Sequence, residues 1–439
     1  MKNLTSAFFF CLSLCLSFQV FAQTNTLLIK GPQQLSVAKS PESVGMSAVK
    51  LSRIDKAMQN LVAADQLPGM VALVVRDGQI VYQKAYGTAD AQTGRAFKVD
   101  DIFRIASMSK AITVTAAMML YEEGKFSLDE PISKWIPEFK NPQVISTFNA
   151  ADTTFTAVPA KSEITVRQLM NHTSGLSYGV IGDERFKAIN AKAGIVDLYT
   201  TKAVTVADNI KKLAKQPLLF NPGEKFSYAL GLDVLGYLIE IWSGQSFDQY
   251  LHSHLLDPMG MNDTYFYLPD AKKDRLVPVQ RPSTDTKKWE RFPVTFYDPN
   301  YPISGAKTWY SGGAGLSSTA KDYAAFLQML LNGGVYNNKR FLSPYTVYLL
   351  TASNQIGDLW GGEKGDSQFS LAFSVVTKQG QDKGNGSAGR FSWGGYFNTN
   401  YWADPKERLI FLLMKQTQAT PDGGSEGILT RLVYSAIEK

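Results

Sequence analysis

Five serines in this chain are followed, three residues later, by a lysine. Residues at this spacing lie on the same face of a helix, where the lysine amine can reach the serine hydroxyl and take its proton. The chemistry also needs a buried lysine, because an apolar environment disfavours the charged ammonium form. The five pairs are Ser36/Lys39, Ser47/Lys50, Ser107/Lys110, Ser304/Lys307 and Ser318/Lys321.

The residues around Ser107 and Lys110 favour this pair over the others. A long apolar helix is predicted from about Ser107 to Glu123, and the apolar stretch 102–106 precedes it. Of the other four serines, Ser36 lies in a flexible segment and Ser304 in a polar loop. Ser47 and Ser318 lie at the caps of two amphipathic helices. The candidate nucleophile is therefore Ser107, with Lys110 as its base.

With these motifs the chain resembles the β-lactamase-related serine hydrolases, which include class C β-lactamases, penicillin-binding D,D-peptidases and family VIII carboxylesterases. The resemblance spans nearly the whole mature chain, and its motifs follow the family's order. They are Ile-Ala-Ser107-Met-Ser-Lys110, Leu-Met-Asn-His172-Thr-Ser-Gly175-Leu, Asn-Pro-Gly223-Glu-Lys-Phe-Ser-Tyr228, Asp-Pro-Met-Gly260-Met, Gly-Gly-Ala-Gly315-Leu-Ser-Ser-Thr and Trp393-Gly394-Gly395.

The resemblance implies a role for each matched residue. Ser107 would be acylated, while Lys110 and the phenol of Tyr228 move its proton. Trp393, Gly394 and Gly395 would lie on the strand beside the site, where small residues let substrate approach the backbone. The backbone N–H groups of Ser107 and Tyr396 would form the oxyanion hole. No metal and no cofactor are implied.

Two departures from the family pattern bear on the substrate. Leu230 stands where many β-lactamases carry an asparagine that contacts the substrate amide. Trp393 replaces a lysine that helps to bind the β-lactam carboxylate. The predicted partner is a small-molecule ester, amide or β-lactam, with a carboxylester preferred. A β-lactamase, a D,D-peptidase and a catalytically idle ligand-binding protein on the same fold are the alternatives.

Other residues offer rival sites. Ser425 lies in a Gly-x-Ser-x-Gly pattern, but all histidines precede it, against the chain order of α/β-hydrolases; we expect Ser425 to cap the last helix. His172 is an alternative base for Ser107, although its turn matches a structural loop of the family. His252 and His254 would diverge on a helix, so no metal site is predicted.

The order of elements predicts an α+β fold. A helix and strands come first, a mostly helical middle follows, and strands and a helix end the chain. Strands from both ends would share one antiparallel sheet flanked by helices, with the middle inserted as a helical lobe. Residues 142–161 and 270–307 are expected to be irregular, and 369–376 to form a strand. The predicted parts are a signal peptide (1–22), an N-terminal extension (23–45) and a hydrolase domain (46–439). Within the hydrolase domain, the α/β lobe spans about 46–106 and 308–439, and the helical lobe spans about 107–307.

The first 22 residues predict export to the periplasm or the medium. A basic start and an apolar stretch are followed by a small residue, Ala22, before the cleavage point. Both cysteines, Cys11 and Cys15, lie in this leader, so the mature protein would have no disulfide. A lipid anchor is disfavoured because a bulky residue precedes each cysteine.

The composition excludes several other classes of protein. The chain has 439 residues, of which 44% are hydrophobic and 12% aromatic, enough for a large core. Its net charge of +6 is spread thinly, whereas a nucleic-acid binder concentrates Lys and Arg on one face. After the leader, no segment has the ~18 apolar residues of a spanning helix. We therefore predict no nucleic-acid partner and no membrane span.

Overall fold

The computed structural model describes residues 34–295, 298–360, 365–418 and 423–439. Its helices are α1 (Ala48–Ala63), α2 (Ser109–Glu122), α3 (Val166–Met170), α4 (Glu184–Lys192), α5 (Val206–Leu213), α6 (Gly231–Ser243), α7 (Phe247–Leu251), α8 (Asp257–Met259), α9 (Tyr301–Ser304), α10 (Ala320–Leu331), α11 (Pro344–Thr351), α12 (Lys378–Asp382) and α13 (Ser425–Ser435). Its strands are β1 (Ser36–Val37), β2 (Gly69–Arg76), β3 (Gln79–Asp90), β4 (Arg95–Ala96), β5 (Phe103–Arg104), β6 (Gln143–Asn149), β7 (Thr154–Pro159), β8 (Gln280–Pro282), β9 (Trp289–Arg291), β10 (Ser317–Ser318), β11 (Val335–Tyr336), β12 (Lys339–Arg340), β13 (Ser367–Phe369), β14 (Ser374–Val376), β15 (Phe391–Gly394), β16 (Asn400–Asp404) and β17 (Leu409–Met414).

A nine-stranded sheet joins the two ends of the chain. Its order is β1-β3-β2-β17-β16-β15-β14-β13, with β4 beside β3. All neighbours are antiparallel except β1 and β3. Asp77 and Gly78 both have positive φ in the turn between β2 and β3, as a tight hairpin requires. The predicted α+β fold with a shared antiparallel sheet is confirmed.

The sheet has a hydrophobic core on each face. Because successive side chains of a strand point to opposite faces, β2 sends Val71, Leu73 and Val75 to one core and Met70, Ala72 and Val74 to the other. The second core is completed by α1 and α13. The first core contains α2, α6 and α10, so the helix that follows Ser107 is packed against the sheet. Covered on both faces, β2 is apolar up to its last residue, Arg76.

The predicted loop at 142–161 is wrong, because these residues form the hairpin β6–β7. Most of its side chains are exposed, and polar and apolar residues follow no regular hydrophobic alternation. Ile145 nevertheless packs against Phe186 and Ile189 of α4. A helix that is distant along the chain therefore supports the hairpin, and a local pattern cannot indicate such support.

Smaller expectations also need correction. Ser36, expected in a flexible segment, belongs to β1 and pairs with the edge of β3. The single strand expected at 369–376 is two strands, β13 and β14, which pair antiparallel. The excursion at 270–307 contains the short β8–β9 hairpin and α9. The leader 1–22 and residues 23–33 lie outside the described residues, and the lobe boundaries remain a prediction. In the described ranges, no helix is long and apolar enough to cross a membrane.

Candidate active site

Ser107 lies on a turn that long-range contacts hold in place. It is the middle residue of a short 3-10 helix, Ala106–Met108, which leads directly into α2. The strand before it, β5, pairs with β10, and the N–H of Ile105 donates to the carbonyl of Leu316 at 3.0 Å. Ala106 has a φ of 45°, a left-handed conformation that costs a non-glycine residue roughly 1–2 kcal/mol. The packed surroundings therefore hold Ser107 on strained backbone.

Lys110 lies in the first turn of α2 and is 4% exposed. Its Nζ is 3.2 Å from Oγ of Ser107, 3.0 Å from the hydroxyl oxygen of Tyr178 and 2.6 Å from the carbonyl oxygen of Gly313. The same Nζ is 4.5 Å from the centre of the Tyr228 ring. The structure thus brings together the three residues expected to handle the proton, and it adds Tyr178, which the sequence analysis missed.

The segment that carries Tyr228 is held by His172. The carbonyl of His172 accepts from the N–H of Ser227 at 2.8 Å, and its Nδ1 accepts from the N–H of Ala229 at 3.4 Å. The two rings lie 4.6 Å apart. Burial, with the positive charge of Lys110, holds the pKa of His172 well below its usual value, so the ring is neutral. In this geometry His172 orients the Tyr228 segment.

An open cavity of about 420 Å³ reaches Ser107. Its lining residues are Ser107, Ile181, Leu198, Tyr228, Trp393, Gly394, Gly395 and Tyr396. None of these side chains carries a formal charge at neutral pH. The cavity therefore suits an apolar or aromatic group, and it brings the two residues expected in the oxyanion hole, Ser107 and Tyr396, to one place.

Gly395 lies where strand β15 meets the turn before Ser107. A Cβ at this position would lie 2.4 Å from the carbonyl oxygen of Ile105 and 2.2 Å from Oγ1 of Thr399. Such distances are far below ordinary contact, so only glycine fits without moving the backbone. The Trp393-Gly394-Gly395 motif is thus fitted closely to the Ser107 turn.

A buried carboxylate lies beneath Lys110. Asp233 on α6 accepts from Oγ of Ser311 at 2.6 Å and from the N–H of Gly313 at 3.3 Å. Its Oδ2 has no hydrogen-bond partner among the described residues. Burial raises the pKa of Asp233, while the Ser311 bond and the charge of Lys110 act in the opposite direction. The sequence analysis missed Asp233, and the signal that could have revealed it is a lone carboxylate in the apolar run 229–235.

Trp393 belongs to a cluster of aromatic rings beside the cavity. Its ring centre lies 5.8 Å from that of Tyr228, 5.5 Å from that of Phe369 and 6.4 Å from that of Trp360. Its Nε1 is 3.4 Å from the hydroxyl oxygen of Tyr228. Aromatic pairs in such geometries contribute about 0.5–1.5 kcal/mol each beyond burial. Trp393 is therefore a rigid part of the wall that also contacts the phenol of Tyr228.

The rival histidine pair lies elsewhere. His252 and His254 belong to a short π-helix, His252–Leu256, which lies between α7 and α8. His252 contacts Asp257 at 2.9 Å, whereas His254 stacks on Tyr250 with ring centres 4.5 Å apart. Within the described residues, no group of three or more His, Cys, Asp or Glu side chains is arranged to hold a metal ion.

The rival serine, Ser425, is fully buried and does not line the cavity. Its Oγ accepts from Nζ of Lys415 at 2.8 Å. The predicted cap is wrong in detail, because the N-cap of α13 is Gly424 and Ser425 is the first helical residue. Its hydroxyl stabilises the buried Lys415, which directly follows strand β17.

Comparison with known proteins identifies the family. The family model described as Beta-lactamase matches residues 54–435, nearly the whole chain. The chain belongs to the β-lactamase family. As a member of this family with an esterase among its relatives, it is a serine hydrolase of the β-lactamase fold. The predicted resemblance is confirmed.

Two relatives and one solved structure illustrate what this chain is similar to. Esterase EstB of Burkholderia gladioli is 28% identical over 417 residues, which cover 90% of this chain and 97% of EstB. A putative D-alanyl-D-alanine carboxypeptidase of Salmonella agona is 28% identical over 333 residues, or 71% of each chain. The solved structure of EstCE1, "a hydrolase with promiscuous acyltransferase activity", has a TM-score of 0.74 at 24% identity and covers 89% of this chain and 99% of its own. The last comparison supports the fold alone.

Proposed function

We propose that this protein is an exported carboxylesterase that works through an acyl-enzyme on Ser107. The observation that carries the proposal is the contact of 3.2 Å between Nζ of Lys110 and Oγ of Ser107, at a cavity whose lining has no charged side chain. A neutral ester needs no ion pair to bind. β-Lactams and D-alanyl peptides carry a carboxylate, which a cationic side chain would help to hold.

The neighbours of Lys110 support a role as general base. In the step in which Lys110 acts as the base, its amine is deprotonated and has two N–H groups and one lone pair. The carbonyl of Gly313 and the hydroxyl of Tyr178 can take the two N–H groups, which leaves the lone pair directed at the hydroxyl of Ser107. The proton of Ser107 would pass to Lys110 as Oγ attacks the ester carbonyl.

The remaining groups would complete the acylation. In our proposal the N–H groups of Ser107 and Tyr396 stabilise the oxyanion of the tetrahedral intermediate. The Tyr228 phenol donates its proton to the leaving alkoxide, and the proton that Lys110 took from Ser107 restores the phenol. The alcohol departs, and the acyl group stays bonded to Oγ. Water then attacks the acyl-enzyme by the same steps in reverse, which releases the carboxylic acid.

Two positions favour an ester over a β-lactam or a peptide. Trp393 occupies the position of the expected cationic residue, and its ring packs in the aromatic cluster. Leu230, in the position of the amide-binding asparagine, is buried in the core. The relationship to EstB supports the same preference. The relationship to a putative D-alanyl-D-alanine carboxypeptidase keeps the peptidase as the second candidate.

A comparison of three substrates tests the proposal. We expect the purified protein to hydrolyse p-nitrophenyl butyrate much faster than a chromogenic cephalosporin or a D-alanyl-D-alanine peptide. Ser107→Ala should abolish turnover and the acyl adduct seen by intact mass. Ser304→Ala, which removes an exposed serine of another Ser-x-x-Lys pair, is the matched control.

Turnover that persists in Ser107→Ala would contradict the mechanism, and faster peptide hydrolysis would favour the second candidate. Failure of a serine-directed phosphonate to label the protein would favour the idle binding protein.

Export is tested separately, since it depends on residues 1–22. Cell fractionation should recover the protein in the periplasm or the medium, with Gln23 as its first residue. A cytoplasmic product that retains the leader would overturn this part of the proposal.

A further inference from the structure

The apolar side of the cavity is built by two loops. Ile181 lies between α3 and α4, and Leu198 lies between α4 and α5, so neither residue belongs to a helix or strand. Both side chains line the cavity beside Ser107. Loop residues need specific contacts to keep a fixed position. The spacing between Ile181 and Leu198 thus depends on what joins the two loops.

The side chain of Asp197 joins them. Its Oδ2 accepts from the N–H of Gly179 at 2.8 Å and from the N–H of Val180 at 3.3 Å. Asp197 directly precedes Leu198, and Val180 directly precedes Ile181. Hydrogen bonds from two backbone N–H groups to one carboxylate are about twice as strong as neutral ones. One buried carboxylate, 8% exposed, therefore lies next to both wall residues.

The Leu198 side of this link is anchored independently. The amide of Asn209 on α5 bonds both the N–H and the carbonyl of Val196, at 2.8 Å and 2.6 Å. The indole Nε1 of Trp309 donates to the carbonyl of Leu198 at 2.9 Å. Leu198 itself has a φ of 64°, which these contacts maintain. Residues 196–198 are therefore a fixed base to which Asp197 ties the other loop.

The Ile181 loop is packed but gains few other bonds. Asn190 of α4 lies against Gly179, with Nδ2 3.3 Å from the place a Cβ would occupy, yet its buried amide has no hydrogen-bond partner among the described residues. Tyr178, which directly precedes Gly179 in the chain, contacts Nζ of Lys110 through its hydroxyl. The Asp197 bonds thus hold the backbone between the Lys110 contact and the cavity wall.

We propose that Asp197 is a positioning residue that sets acyl-chain specificity, because it holds Ile181 and Leu198 together as one apolar wall. The inference rests on the proposed esterase function of the same site. Each methylene that the wall buries should raise kcat/KM about fourfold, the equivalent of its transfer from water. Without the carboxylate, the Ile181 loop moves away from Leu198 and this gain is lost.

The test measures kcat/KM for p-nitrophenyl acetate, butyrate and hexanoate. In Asp197→Ala we expect the hexanoate-to-acetate ratio to fall about tenfold, mainly through a higher KM for hexanoate, whose chain reaches the wall. Asp197→Asn keeps an acceptor oxygen and should retain most of the ratio. Asp208→Ala, which removes an exposed carboxylate at the start of α5, is the matched control and should leave the ratio unchanged.

A second readout separates this inference from the proposed function. Ethyl and hexyl p-nitrophenyl phosphonates modify a reactive serine without turnover, and intact mass gives their rates. The protein could hydrolyse no ester and still react faster with the hexyl than with the ethyl phosphonate. If that difference disappears in Asp197→Ala, the esterase proposal is wrong, but the role of Asp197 in positioning the apolar wall is supported. An unchanged chain preference in folded Asp197→Ala, or no labelling of Ser107 by either reagent, overturns the inference. If Asp197→Ala does not fold, the decision rests on Leu198→Ala, which must lose the same preference.

Discussion

The hydroxyl oxygen of Tyr178 lies 3.0 Å from Nζ of Lys110, although 68 residues separate them along the chain. Tyr178 is fully buried, and burial raises the pKa of its phenol well above the usual value, so the hydroxyl keeps its proton. A protonated phenol can accept from an N–H of the amine as well as donate. Tyr178 therefore helps to direct the lone pair of the Lys110 amine toward Ser107.

Removal of this hydroxyl should slow the acylation of Ser107. Tyr178→Phe keeps the ring and its packing but removes one hydrogen-bond partner of Nζ of Lys110. A hydrogen bond to a charged or strongly basic group is worth about 1.5–3 kcal/mol, so we expect the rate constant of acylation to fall about tenfold to a hundredfold. Stopped-flow measurement of p-nitrophenol release gives the acylation rate. Tyr345→Phe, at a side chain 66% exposed, is the control, and an equal effect in both variants would contradict the assignment.

A methyl group at Gly395 should disrupt the candidate oxyanion hole. Gly395→Ala places Cβ 2.4 Å from the carbonyl oxygen of Ile105, so either β15 or the Ser107 turn has to move. Displacement of catalytic groups by about 1 Å can cost a hundredfold in rate, and we expect a loss of this order in kcat. Gly427→Ala is the control, because a Cβ there meets only Nη1 of Arg431 at 3.7 Å and adds helix propensity to α13. Full activity in Gly395→Ala would show that the close contact has no role.

Truncation of Trp393 should weaken substrate binding more than chemistry. Trp393→Ala removes one cavity wall and the contact of 3.4 Å from Nε1 to the hydroxyl of Tyr228. We expect KM for p-nitrophenyl butyrate to rise about tenfold, with a smaller fall in kcat. Steady-state kinetics measure both constants. Trp393→Phe, which keeps an aromatic wall, should recover most of the binding. A loss confined to kcat in Trp393→Ala would instead show that Trp393 acts through its contact with the phenol of Tyr228.

The buried carboxyl of Asp322 should make stability depend on pH. Burial raises its pKa from 3.8 to about 6, although the N–H of Asp263 and the hydroxyl of Thr264 bond to it. Between these two pH values the folded state binds more protons than the unfolded state. The contribution of Asp322 to the free energy of unfolding is therefore greatest below pH 3.8 and is lost as pH rises through 6.

Asp322→Asn removes this dependence. Relative to the wild type, we expect the variant to gain about 1 kcal/mol in the free energy of unfolding between about pH 5 and about pH 8. Urea titrations at the two pH values measure the difference. A difference that stays constant, or that shrinks as pH rises, would show that the carboxyl is not buried in the protonated form at low pH.

The sequence alone determined the features that depend on local spacing. Ser107 and Lys110 are neighbours because residues three apart share a helix face, and the apolar run of α2 indicated that the lysine would be buried. The Asp77-Gly78 pair in the turn of the β2–β3 hairpin is also a local signal, because this dipeptide tolerates the positive φ of a tight turn. The ordered motifs indicated the family, which the family model then confirmed.

Tertiary structure decided the contacts between segments distant along the chain. Tyr178 meets Lys110, and Asp233 meets Gly313 across 80 residues, only because α2, α6 and the loops around them pack into one core. The link from Asp197 to the Ile181 loop is of the same kind. No periodicity encodes such contacts, since their free energy comes from side chains that meet only after the helices and the sheet have packed. The chemistry of Ser107 could thus be predicted from sequence, whereas the surroundings that direct it could not.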